Sequence, residues 1–400
     1  MVRYLRAANV KDGALDLTDV QSMNFTPAEQ GSFALRPGDV LVTEGSGSLS
    51  SVGASAVWRG ELEGTVCFQN TLLRLRPRVG VDGRYLEWWA RSAFGSGVFA
   101  SIASGANIYH LSAERVRALP ISLPPLEEQR RIIDFLDAET SQIERLIQLR
   151  NRQIELLGQR IAQIVDGIVA GSVESLTEIG ESQTAEDWEW KRVSHLCEVI
   201  PGYAFPSSGF LIDGSGVKLL RGVNIDTGSL TWGEVVSWDI ETSPIHDRFH
   251  LRAGDLVLGM DRPWISSGMR ISLIQEMDLP ALLLQRVACL RPKGLVDMSY
   301  VRWVLDSAHF RQSVESEMTG VSVPHLSGEQ IGGFTFRVPP KQSQTRISMA
   351  LADQVEKTGQ LQASISRQIE LLAERRRALI TAAVTDQIDV STASGRGIEE

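Results

Sequence analysis

The stretch PPLEEQRRI at 124–132 returns 215 residues later as PPKQSQTRI at 339–347, and the chain around each copy repeats with it. YLRAANVKDGALDL (4–17) matches LLRGVNIDTGSLTW (219–232), and FALRPGDVLV (33–42) matches FHLRAGDLVL (249–258). Tyr85 and Trp88 answer Tyr300 and Trp303, YHLS (109–112) answers PHLS (324–327), and QIELL recurs at 153–157 and 368–372. A repeat constrains architecture before any local pattern does, because like sequences must build like units. The chain is one unit, duplicated.

Each unit reads in two parts. The first alternates short apolar runs, Val40 to Thr43 and Leu72 to Leu75, or Leu256 to Leu258 and Val287 to Leu290, with Gly, Pro, Asp and Asn turns, which predicts a mixed α+β domain. The second begins at the double proline, where the backbone is not yet helical, and then runs proline-free long enough for a helix of about 65 Å. Ile133, Thr140, Ile147, Ile154, Ile161 and Ile168 stand seven apart, with Leu136, Ile143, Arg150, Leu157 and Ile164 three residues after the first five. That is a heptad seam. In the second copy Leu351, Val355, Ile365, Ile369, Leu372 and Leu379 keep the seam while Gln362 and Arg376 interrupt it. Arg150 and Arg376 are expected to set register, since a polar seam residue trades stability for specificity. A lone seamed helix lacks a partner, so the two are expected to pair antiparallel within the chain.

With 43% hydrophobic and 22% charged residues in 400, the composition is that of a globular protein of two or three domains. No run is long enough to span a membrane and the first residues carry no signal-type apolar stretch, so a cytoplasmic protein is expected. Cys67, Cys197 and Cys289 fit neither a disulfide framework nor a metal spacing and are expected in cores. The net charge of −9 argues against a simple nucleic-acid binder. Much of it, however, sits in Glu174, Glu178, Glu181, Glu186, Asp187 and Glu189 and in the terminal Glu399 and Glu400. All but six of the 40 basic residues are Arg, which suits bidentate contacts to phosphate and guanine.

A globular part ending in LPPLEEQRRIIDFLDAETSQIERLIQLRNRQIELL, a second ending in VPPKQSQTRI, and a close on QIELLAERRRALITAAVTDQIDV together resemble the specificity (S) subunits of type I restriction-modification systems. The LRPGDVL and LRAGDLVL segments are similar to those of that family's target-recognition domains. The resemblance implies a non-catalytic subunit of α+β class, with two similar target-recognition domains joined by two long helices in an intramolecular antiparallel coiled coil with pseudo-two-fold repeat. Each domain would read one half of a split double-stranded DNA target, while the helices set the spacer. Its implied partners are two methyltransferase (M) subunits and restriction (R) subunits, which would bring S-adenosylmethionine, ATP and Mg; the chain itself would hold no cofactor or metal. The segments expected are a first recognition domain at 1–123, a central helix at 124–172, an acidic linker at 173–186, a second domain at 187–338, a C-terminal helix at 339–386 and a flexible tail at 387–400. One departure stands out: the lead-in to the second domain, WEWKRVSHLCEVIPGYAF, has no counterpart ahead of YLRAANV, so the first domain is expected to be short at its N-terminus.

Catalytic readings find little footing. The six histidines form no HExxH and no cluster with Cys, and His246 with His250 lie in what reads as a loop entering a strand. EGSGSLSSVG follows no nucleotide-binding pattern, and Ser112 and Ser327 read as helix N-caps. For DNA contact the candidates are Arg6, Asn9, Arg59 and Arg74 in the first domain, with Arg76 and Arg78 beside them. In the second they are Tyr203, Lys218, Arg221, Asn224, Arg248, Arg262, Trp264 and Arg270, with Lys293, while Arg76 and Arg291 in matching LRP segments suit a structural role. Arg or Lys can read guanine and Asn can read adenine, with other cations holding phosphate. The alternative is a scaffold of the same descent that no longer reads a full target.

Overall fold

The computed structural model describes residues 1–49, 51–105, 108–180, 188–315 and 324–390. Two compact units result: Met1–Arg152 with Ser364–Glu400, and Gln153–Ala363.

In the first unit the LRPGDVLV segment forms Val40–Thr43, flanked antiparallel by Ser55–Val57 and Leu72–Leu75. All four residues of the central strand are buried, as expected of a strand covered on both faces. A second small sheet sets Val2–Leu5 between Gln21–Met23, antiparallel, and Val66–Phe68, parallel. The second unit repeats this. Leu256–Gly259 is flanked by Ile271–Leu273 and Val287–Pro292, and Val217–Leu220 lies parallel to Ala281–Leu283. The lead-in without a counterpart adds Cys197–Pro201, which extends the first of these sheets, and Glu189–Arg192, which pairs with Thr335–Val338.

The repeated helix entrance has a physical cause. Helices Leu126–Ala170 and Lys341–Val384 begin just past the double prolines. In each a buried glutamine ties the first turn to the globular part. Gln129 Nε2 donates to Pro124 O (2.8 Å) and Gly80 O (2.9 Å), and its Oε1 accepts from Asp82 N (2.9 Å). Gln344 Nε2 donates to Pro339 O (2.8 Å) and its Oε1 accepts from Asp297 N (2.8 Å). Asp82 and Asp297 are themselves the N-caps of helices Gly83–Gly95 and Met298–Leu305. One side chain therefore fixes two helix starts against each other.

The two long helices meet within each unit. In the first, Ile132, Ile133 and Leu136 share a core with Tyr85, Trp88, Ile380, Ala383 and Val384, and farther along Glu144 pairs with Arg376 Nη1 at 2.9 Å. In the second, Gln362 Nε2 donates to Ile154 O (3.1 Å), and Ile164 and Ile168 share a core with Leu351 and Ile347. Of the seam residues, Ile133, Leu136, Ile143, Leu351 and Ile365 are buried, and Ile147, Ile154, Leu157, Ile161, Ile369, Leu372 and Leu379 are half-buried. Val355 is not a seam residue: it is 38% exposed, while Gln354, Thr358 and Gln362 are half-buried. The three-four spacing from Leu351 to Ile365 passes through these polar residues, which an apolar count overlooks.

Two other expectations change. The acidic linker includes a helix, Val173–Glu178, whose Leu176 is buried among core residues; Glu181, Glu186 and Asp187 lie outside the described residues. The expected tail is partly packed, with Val390 buried beside Ile132 and Ile380 and Ile388 against them, and 391–400 lie outside the described residues.

Candidate nucleic-acid interface

Several of the candidate DNA contacts are structural. Asn9 and Asn224, each 2% exposed, do one job in the two units. Asn9 Oδ1 accepts from Arg6 N (3.0 Å) and its Nδ2 donates to Asp16 O (2.8 Å) and Asp19 O (3.0 Å). Asn224 Oδ1 accepts from Arg221 N (3.0 Å) and its Nδ2 donates to Thr231 O (2.9 Å). Both amides are spent on backbone groups inside a turn. The arginines beside them are anchored in parallel fashion: Arg6 pairs with Asp19, and Arg221 Nη2 donates to Glu234 O (2.6 Å).

Arg74 is likewise occupied, donating through Nη1 to Ser32 O (3.0 Å) and Ala34 O (3.1 Å) with its guanidinium over Phe68. Arg76 and Arg291 are structural, as their matching positions suggest. Arg76 pairs with Asp39 (2.6 Å) and Arg291 with Asp255 (2.7 Å), and each carboxylate is 1% exposed. The hydrogen bonds that the guanidinium groups donate to these buried carboxylates push both guanidinium pKa values upward. Lys293 Nζ donates to Ser194 O (3.0 Å), and Arg270 reaches Gly222 O at 3.5 Å.

What stays at the surface is a smaller set. In the first unit Arg59 remains, its side chain 58% exposed, 3.8 Å from the buried Glu87, and Arg78 is exposed. In the second, Tyr203 is 41% exposed, meets Phe205 edge-on and lies tilted against Phe249, and Arg248 lies over Phe249. Lys218 lies over Trp232, and Trp264 is half-buried beneath Arg311. Arg262 is exposed on a left-handed backbone, φ +45°. Close to it stand three residues that sequence reasoning does not single out together: Asp261, Arg286 and His325. Repeat alignment flags His325, but nothing in the sequence marks Arg286, whose side chain is 61% exposed and whose φ is +68°.

Ser112 and Ser327 are N-caps, accepting from Arg115 N (3.2 Å) and Gln330 N (3.1 Å); the SGAN and TGVS turns before them fall at least partly outside the described residues, as does Ser50 of the Gly-Ser loop. His246 caps the turn that follows it, its Nδ1 accepting from Arg248 N (3.2 Å). Among the described residues no group of three or more His, Cys, Asp or Glu is placed to hold a metal ion. The three cysteines are buried, and burial pushes the Cys197 thiol up to about 12.

Residues 90–156 match the family model of the type I restriction modification DNA specificity domain. The chain is 32% identical over 177 residues to the EcoAI type I restriction enzyme specificity subunit of Escherichia coli, an alignment covering 44% of this chain and 30% of that protein. Its relatives are specificity subunits of type I restriction enzymes. A second, the MjaVIII specificity subunit of Methanocaldococcus jannaschii, is 27% identical over 257 residues, covering 63% of this chain and 59% of that protein. The chain thus spans between about a third and three fifths of these specificity subunits' lengths. In fold the likeness is longer. A chain from a structure of complex assembly and conformational transition of the type I R-M system superimposes with TM-score 0.72 at 18% identity, covering 96% of this chain and 91% of that one. The HsdS subunit of Thermoanaerobacter tengcongensis gives 0.55 at 18% identity, covering 97% and 91%. The mixed helix and sheet architecture of this chain is therefore that of specificity subunits.

Proposed function

We propose that this chain is the DNA-sequence-specificity subunit of a type I restriction-modification complex, acting in the cytoplasm. Its two target-recognition domains, 1–123 and 187–338, each read one half of a bipartite double-stranded DNA target. The helices at 124–172 and 339–386 form an intramolecular antiparallel coiled coil that sets the spacer and docks two methyltransferase subunits. In support, partner numbers fall along one helix as they rise along the other, Leu136 with Ile380, Glu144 with Arg376, Ile154 with Gln362 and Ile164 with Leu351.

The observation that carries the reading is the doubling. A small mixed-sheet domain is locked by one glutamine onto the start of a long helix, and the arrangement occurs twice in a chain whose relatives are specificity subunits. A single active centre has no use for two copies of a scaffold, whereas a split target needs two readers. Methylation and cleavage belong to partner subunits, which supply S-adenosylmethionine, ATP and Mg. DNA contact in this chain rests on Arg59 in the first domain and on Tyr203, Lys218, Arg248, Arg262 and Trp264 in the second, with partner subunits adding positive charge that a net −9 chain lacks.

The test is to co-express the chain with a methyltransferase subunit encoded beside it and map N6-methyladenine over the host DNA. Methylation confined to a split motif is the expected result. A stable complex that methylates nothing would instead mark a scaffold that has lost its target.

A further inference from the structure

We propose that Arg262 and Arg286 form a guanine-reading pair on the second domain, at a scaffold position that the first domain fills with different chemistry. The inference rests on the proposed DNA-reading role and names the side chains that would carry it.

The scaffold position is the same in both units. In the second, Met260 N donates to Arg286 O (2.9 Å), Leu326 N donates to Met260 O (2.8 Å), and Asp261 bridges antiparallel to His325. In the first, Glu44 N donates to Thr71 O (2.9 Å), Leu111 N donates to Glu44 O (2.8 Å), and Gly45 pairs antiparallel with His110. The backbone frame is one design. Its side chains are not: Gly45, Ser46 and Thr71 in the first unit stand where Asp261, Arg262 and Arg286 stand in the second, and only the histidine is shared.

The backbone of the second unit gives these arginines an unusual setting. Arg262 (φ +45°) and Arg286 (φ +68°) are two of three non-glycine residues in the left-handed region among those described. Glycine adopts that conformation freely and L side chains do not, so two arginines there, one of them 3.5 Å from the Asp261 carboxylate, point to work done by the side chain. Asp261 Oδ1 lies 2.6 Å from His325 Nδ1 and 3.5 Å from Arg286 Nη1, which is in turn 3.5 Å from His325 Nδ1. The carboxylate and the imidazole steer Arg286 from one side, while 61% of its side chain stays open to solvent.

A guanidinium fork with a fixed direction suits the O6 and N7 acceptors of guanine in the major groove, where orientation decides recognition. Phosphate contact needs only a cation that can swing into reach. The first domain carries Ser46 and Thr71 where these arginines stand, so the two half-targets are read here by unlike groups.

The experiment uses the full chain co-expressed with its methyltransferase partner, with Arg262→Gly and Arg286→Gly made separately. Glycine suits the left-handed backbone, so each variant should melt at or above the parent temperature. Each should also relax a guanine requirement in one half of the methylated motif, lowering discrimination about 5- to 150-fold, and leave the other half intact. An unchanged motif in both variants would overturn the proposal, as would a parent motif with no guanine in the affected half. Uniformly weaker methylation of an unchanged motif, with a shallower salt dependence, would mark phosphate contacts and overturn it as well. If the parent yields no split motif, the DNA-reading role itself fails first.

Discussion

Asp255→Ala should unfold the second unit far more readily than the loss of one surface charge would. The carboxylate is 1% exposed and accepts from Arg291 Nε (3.0 Å), Arg291 Nη2 (2.7 Å) and Arg252 N (2.9 Å). Arg291 is itself 13% exposed, so alanine strips a largely buried guanidinium of its hydrogen-bonded carboxylate and leaves it carbonyl contacts such as His250 O at 2.8 Å. Breaking a buried pair from one side costs about 3–5 kcal/mol, against about 0–1 kcal/mol for an exposed one. For a unit of this size that corresponds to about 6–20 °C in the melting midpoint. Urea denaturation followed by tryptophan fluorescence gives the free energy, and if the two units unfold in separate steps only one should move. Asp39→Ala, which strands Arg76 in the same way, should move the other. Replacing both partners, Asp255→Leu with Arg291→Met, should recover most of the loss, because no charge is then left without a partner. A loss below about 1 kcal/mol for Asp255→Ala would refute the reasoning, since it would mean that water reaches Arg291 and screens it.

Asn224→Ala removes an acceptor for Arg221 N and a donor to Thr231 O and should cost about 1–3 kcal/mol in thermal melts, with the methylated motif unchanged; a change of motif would restore Asn224 as a base reader. The thiol pKa values of Cys67, Cys197 and Cys289 are all raised by burial, so a disulfide reagent at pH 8 should label none of them in the folded chain and all of them in denaturant. Burial raises the Asp306 carboxyl above 3.8, so the folded state holds that proton more tightly than the unfolded chain does. Lowering pH through the raised value towards 3.8 should therefore stabilise the parent relative to Asp306→Asn, and a pH-independent difference between the two melting curves would exclude it.

The long helices were legible because proline marks their starts and apolar spacing marks their inner face. Ser112 and Ser327 were legible as caps because the capping pattern is local, closing within three residues. Val355 shows where spacing misleads: a stripe continued through Gln354 and Thr358 looks, to an apolar count, like one that has shifted. The DNA candidates fared differently because an asparagine or arginine in a turn-rich stretch has the same appearance whether it faces a base or closes the turn. What decides is the partner, and the partner is often distant. Asp39 precedes Arg76 by 37 residues and Asp255 precedes Arg291 by 36. Arg286 was missed for a related reason, since its left-handed backbone has no sequence signature outside glycine and asparagine.

The repeat shows the division between what a scaffold fixes and what it leaves open. Aligned on Tyr85 with Tyr300, the helix carries Glu87 and Arg91 in the first unit where the second carries Arg302 and Asp306. The charges are exchanged, and each unit sets its own version against different partners. Glu87 accepts from Val57 N (3.2 Å) and Arg91 reaches Asp12 (2.9 Å) from above Trp88. Asp306 accepts from Met269 N (2.9 Å) while Arg302 lies over Trp303. In the first unit the chain of charges continues, since Asp12 also meets Arg376 Nη2 (3.4 Å), whose Nη1 pairs with Glu144. Arg376, an interruption of the apolar seam, thus ties the globular part to both long helices at once. Buried polar positions need a satisfied partner and not a particular sign, so two copies of one fold can drift apart in charge while keeping their shape. The same freedom is exercised at Gly45 and Asp261, where one backbone frame carries unlike side chains in the two units.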